Sequence, residues 1–135
     1  MDTLYRSHAR ALTALYEDVE RTALEQREAF VGTAGAVIAR TNAAGFRFYA
    51  HKTYDAEARA RERYVSGPVG DPTADAIAEA LRARIVEVSD LVPKLRLLAR
   101  EGYTRVDERT YSAIAALHNR GVFAAGAVLV GSHAY

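Results

Sequence analysis

Apolar and polar positions along the chain change period twice, and each change marks a boundary. From residue 3 to 29 the spacing is helical. Leu4, Ala11, Leu12, Leu15, Tyr16, Val19 and Ala23 form one stripe, while Arg6, Arg10, Glu17, Glu20, Arg21, Glu25, Arg27 and Glu28 fall mostly off it. Asp2 or Thr3 supplies a cap and Gly32 a stop. The period then shortens to two. Ala36 to Arg40 reads as a strand, residues 41–45 as a turn, and residues 46–51 as a second strand. Its alternation puts Phe46, Phe48 and Ala50 on one face and Arg47, Tyr49 and His51 on the other, the outward one. Arg61 to Val65 is a looser third strand, so the segment predicts a small antiparallel meander, closed by Gly67, Pro68, Gly70 and Pro72.

Helical spacing returns at Asp71-Pro72, a cap followed by proline at the first helical position, where its missing N–H costs nothing. Ile77, Ala80, Leu81, Ile85 and Val88 form the expected buried stripe. Pro93 either kinks this helix or sits in the first turn of a new one starting at Ser89 or Asp90, which runs through Leu95, Leu97 and Leu98 to Gly102. Asp107 caps a further helix carrying Tyr111, Ile114, Ala115 and Leu117, with Asn119-Arg120-Gly121 as its end and Val122 and Phe123 placed to fold back on it. Ala127 to Val130 then reads as a buried strand that breaks at Gly131-Ser132 into a helix start. The expected fold class is α+β and mostly helical: a long N-terminal helix, a small meander and a helical C-terminal part. The segments divide as 1–70, 71–126 and 127–135.

Composition narrows the chemistry. The net charge of +1 gives no global argument for nucleic acid or membrane. The absence of cysteine excludes disulfides, thiolate chemistry and sulfur-ligated zinc, and fits a cytoplasmic setting. No apolar run approaches the roughly 18 residues of a membrane span, and the residues after Met1 lack a signal-peptide pattern.

A strand that breaks at Gly-Ser into a helix N-terminus turns backbone N–H groups toward an anion, phosphate above all, and Gly131, Ser132 and His133 are the candidate phosphate contacts. The stretch Phe123-Ala124-Ala125-Gly126-Ala127-Val128-Leu129-Val130-Gly131-Ser132-His133-Ala134-Tyr135 resembles the signature of a bacterial group of nucleotidyltransferase-fold proteins: a phenylalanine, a glycine, an apolar strand, Gly-Thr or Gly-Ser, His-Ala and an aromatic. The upstream order is similar, including the loop Tyr64-Val65-Ser66-Gly67-Pro68; the aromatic strand Phe46-Arg47-Phe48-Tyr49 matches only broadly. The resemblance implies that the chain is the N-terminal portion of such a protein, with residues 127–130 as the first strand of its sheet. It implies transfer of a nucleoside monophosphate from an NTP to a nucleic-acid or protein acceptor. Carboxylates on strands after the Gly-Ser helix would hold magnesium, so this chain alone is expected to be inactive, with no cofactor of its own. Upstream acids do not replace them: Asp18 and Glu20 share a face only on a strand but lie in a helical segment, and Asp71 is a cap.

Two other classes stand beside this one. Residues 35–70 carry six cations against three carboxylates, a local charge of +3, interleaved with Phe46, Phe48, Tyr49, Tyr54 and Tyr64. Basic groups for phosphate and rings for bases suit a nucleic-acid surface, with Arg40, Arg47, Tyr49, Lys52, Arg61 and Arg63 as its contacts. The helix over 3–29 could instead serve self-association. The four histidines, His8, His51, His118 and His133, show no metal-ligand spacing, and no serine has a histidine–acid setting.

Overall fold

The computed structural model describes residues 9–130, and its architecture is mixed α+β. The order is α1 (Arg10–Leu24), β1 (Ala36–Thr41), β2 (Arg47–Tyr54), β3 (Ala60–Ser66), α2 (Pro72–Arg100) and α3 (Glu108–Asn119). The strands form an antiparallel meander in the order β1-β2-β3. Side-chain oxygens close both hairpins: Asn42 Oδ1 accepts the Ala44 and Phe46 N–H groups, each at 3.0 Å, and Asp55 Oδ1 accepts those of Glu57 and Arg59. The β2–β3 register shifts at Tyr49/Ala50, so Tyr49 faces Ser66 while Ala50 faces Tyr64.

α1 is shorter than the 27-residue pattern suggests. Ala9 is extended, the helix opens at Arg10, and the expected cap at Asp2 or Thr3 lies outside the described residues. The helix stops at Leu24 because distant side chains take over the backbone beyond it. The Arg84 guanidinium donates to Gln26 Oε1 at 2.9 Å and to the Glu28 carbonyl. Asn119 pairs with both polar groups of Ala29, accepting from its N–H at 2.8 Å and donating to its carbonyl at 2.7 Å. Part of the apolar stripe of α1 packs within the chain: Val19 packs with Leu91 and Leu98, bordered by Leu12, Leu15 and Tyr103.

α2 is one continuous helix. Asp71 caps it, accepting from the Ala74 N–H at 3.0 Å. Pro93 removes one intrahelical bond, to the carbonyl of Ser89, but both residues lie on the solvent side, where such a carbonyl is open to water. The two halves of α2 bury different faces. The first half lays Ala74 (3% exposed) and Ala78 (0%) against the sheet, whereas the second turns Leu91 and Leu98 toward α1. Ile77, expected in the buried stripe, is 48% exposed, because the sheet selects the alanine face, which allows closer backbone approach. α3 starts at its Asp107 cap as expected, with Thr110 N–H donating at 2.9 Å. The expected stops also hold: the Tyr103 N–H returns to the Leu98 carbonyl past Gly102, and the Val122 N–H to that of Leu117 past Gly121.

The core is thin, since among the described residues no large side chain is completely buried. The expected buried strand at 127–130 does not form among the described residues. These positions carry no strand pairing, and Val128 and Val130 are 79% and 81% exposed. A turn ending at Gly126, closed by the Ala127 N–H to the Val122 carbonyl at 3.2 Å, releases them from the α3 cap. No helix of the described residues is long and apolar enough to cross a membrane.

Candidate functional site

The two faces of the sheet have opposite fates, and the assignment reverses the sequence expectation. The face carrying Tyr49 and His51 is the covered one: His51, expected outward, is 5% exposed and Tyr49 9%. Each polar tip is satisfied there. Tyr49 Oη donates to Asp75 Oδ1 at 2.8 Å, under the Arg82 guanidinium 5.4 Å from its ring. A His51 ring nitrogen lies 2.7 Å from the Ala34 carbonyl, and the ring meets Phe30 edge-on at 5.4 Å. Ser66 Oγ donates to the Ala74 carbonyl at 2.8 Å. Burial of these polar groups is tolerated because every one finds a partner.

Asp75 anchors this joint, also accepting the Gly70 N–H at 2.9 Å. The Gly70 amide, and after it the Tyr49 hydroxyl, hold the Asp75 carboxyl below its ordinary value; the same contact pushes the Tyr49 hydroxyl up. A carboxyl lowered in the folded state stabilises the fold above the ordinary aspartate range, about 3.9, and that contribution is lost as pH falls through the lowered value. Asp75→Asn is therefore expected to flatten the decline of melting temperature between about pH 5 and pH 2. Parallel declines for the two proteins would show that Asp75 does not couple folding to pH.

The opposite face is open. Phe46 and Phe48 lie with ring centroids 6.2 Å apart and 16° between their planes, and Phe48 meets Tyr64 at 5.7 Å. Phe46 is 41% exposed and Tyr64 59%. Gly67 makes this grouping possible. A Cβ there would stand 3.0 Å from both Phe46 Cζ and Phe48 Cβ, so the ring of Phe46 rests where a side chain would have been. Farther along the same face the Lys52 ammonium lies 5.8 Å from the Tyr54 ring centroid. Arg40 and Glu62 form a bidentate ion pair over the middle.

The six candidate nucleic-acid contacts do not converge. Register places Arg40 and Lys52 on the open face, and Tyr49, Arg61 and Arg63 on the other, with Arg47 following the same alternation. Tyr49 is buried and bonded. Arg61 is drawn to Asp55 at 3.4 Å. Arg47 and Arg63 are exposed, with no ion pair among the described residues. Phe46, Phe48, Tyr54 and Tyr64 were legible as interleaved rings. The signal that they share an open face was the alternation itself, once it is known which face the helix covers.

Gly131, Ser132 and His133 lie outside the described residues. The upstream carboxylates do not fit a magnesium site. Asp18 is engaged by Lys94 at 2.9 Å, the contact that chiefly lowers its pKa, and by Arg21; Asp71 and Asp75 cap and brace α2. Among the described residues no group of three or more His, Asp or Glu is placed to hold a metal ion. A groove of about 750 Å³ between residues 25–28 and α2 is lined by Ala80, Ala83, Arg84 and Glu87. Arg84 braces it, lying 4.2 Å from the Phe30 ring as well as bonding Gln26. No protein-family model matches the chain, and neither a curated protein nor a solved structure matches it.

Proposed function

We propose that the chain is a binding module whose open sheet face stacks the unpaired bases of a single-stranded nucleic acid. The observation that supports this reading is the contiguous, uncovered run of rings Phe46, Phe48 and Tyr64 on a sheet whose other face is already occupied. Every base has a π-face, so such a surface is tolerant of sequence. On the same face Lys52 lies beside the Tyr54 ring and Arg40 stands opposite Phe48, cations that suit a ligand with a phosphate backbone. Anisotropy of a labelled oligo-dT of about twelve nucleotides tests it. Saturable binding at about 50 mM salt, weakening steadily as salt rises, is expected. Absence of binding at that salt would remove the reading.

A second reading rests on a different observation, the uncovered apolar run Val128-Leu129-Val130. In it the chain is the N-terminal portion of a nucleotidyltransferase-fold protein, and this run pairs with a sheet supplied from elsewhere. Gly131, Ser132 and His133 would meet NTP phosphates, while the magnesium-holding acids lie on later strands. The open sheet face would then hold a nucleic-acid acceptor, which joins the two readings. Calorimetry with ATP and magnesium is expected to give no metal-dependent complex with this chain alone. A tight one would contradict the need for downstream acids.

A further inference from the structure

We infer that the Arg40–Glu62 pair is a charge gate on the open sheet face, holding Arg40 away from ligand phosphates until a polyanion displaces Glu62. The inference rests on the single-strand-binding reading above.

Arg40 Nε donates to Glu62 Oε2 at 3.1 Å while Nη2 donates to Oε1. Arg40 stands opposite Phe48 on β1, and Glu62 stands opposite Lys52 on β3. The pair therefore crosses β2 diagonally, over Ala50, which is 2% exposed although it faces the open side. On that face the strand positions are Ala36, Ile38, Arg40, Phe48, Ala50, Lys52, Tyr54, Ala60, Glu62 and Tyr64. Glu62 is thus the single carboxylate among them, set between the ring cluster and the Lys52–Tyr54 end.

Such a pair does little for the fold. Its side chains are 46% and 36% exposed, and ion pairs this open contribute little to stability. Its effect on an anionic ligand is larger. It cancels one of two cations on the face and places a negative charge where a phosphate chain would cross. Binding would exchange partners: Arg40 turns from carboxylate to phosphate, and Glu62 is left beside the Lys52 ammonium. The planar fork that grips the carboxylate with two N–H groups fits a phosphate equally well, so the exchange loses no hydrogen bond.

Glu62→Gln keeps the side-chain shape and removes the charge. It is expected to bind labelled oligo-dT roughly three- to tenfold more tightly at about 50 mM salt, with a log–log salt slope steeper by about 0.7, the increment for one more phosphate contact on a single strand. The double variant Arg40→Gln/Glu62→Gln is expected to lose both the gain and the extra slope, which assigns them to Arg40. Circular dichroism and melting of each protein show whether the sheet is retained. If wild type binds while a folded Glu62→Gln protein shows equal or weaker affinity and an unchanged slope, the gate is overturned and the stacking surface stands. If the double variant keeps the gain, Arg40 is not the group released. If neither wild type nor Glu62→Gln binds, both proposals fall together.

Discussion

Replacing Phe48 and Tyr64 together by alanine is expected to weaken single-strand binding at least about thirtyfold. Each aromatic–base stack contributes about 1–3 kcal/mol, and two stacks are removed. The loss should appear with similar size on oligo-dT and mixed-sequence strands, because stacking does not read base edges. It should leave the salt slope nearly unchanged, because no cation is removed. Tyr64 is more than half exposed, so its truncation touches little of the core. Phe48 is half-buried and contributes more to the fold, so melting curves must accompany the titrations. Affinity within twofold of wild type, in a folded double variant, would mean that the rings are not where the ligand sits.

The largest expected effect on stability is at Gly35. Its φ is +68°, and a Cβ there would stand 2.0 Å from the Lys52 carbonyl oxygen and 3.0 Å from the Thr53 side chain. The obstructing atom is backbone of the central strand, which cannot turn aside as a side-chain tip would. Gly35→Ala is therefore expected to cost about 3 kcal/mol or more, from left-handed strain together with a displaced strand. That is a large share of the 5–15 kcal/mol typical of a folded domain. The thin core has little in reserve, so loss of cooperative thermal unfolding by circular dichroism is the predicted outcome. A melting temperature within about 2 °C of wild type would show that β1 relaxes around the added methyl.

The elements legible in the sequence are those with local causes. Asp71-Pro72 and Asp107 carry the chemistry of a helix start in their own side chains, and Gly102 and Gly121 that of a stop. The meander follows from alternation and from Asn42 and Asp55, which build their turns within a few residues. What was not legible depends on distant partners. The end of α1 is set by Arg84 and Asn119, 56 to 90 residues away in sequence. Alternation sorts Phe46 and Phe48 from Tyr49 and His51 but does not say which set is covered. That choice was made by Asp75, Ala34 and Phe30, which offer partners to a phenol and an imidazole, and by Ala74 and Ala78, which let a helix approach. The arginine-based site followed from charge density, which takes no account of faces. Once Arg40, Arg59 and Arg61 find carboxylates, the local excess of +3 is spread over both sides of the sheet.

The most direct measurement of the central claim is an NMR titration of the labelled chain with oligo-dT, following ring signals on both faces at once. The open-face account predicts shifts at Phe46, Phe48 and Tyr64, with Tyr49 and His51 unmoved on the covered face. Shifts confined to Tyr49, His51 and the residues around them, with the three open-face rings silent at saturation, would contradict it.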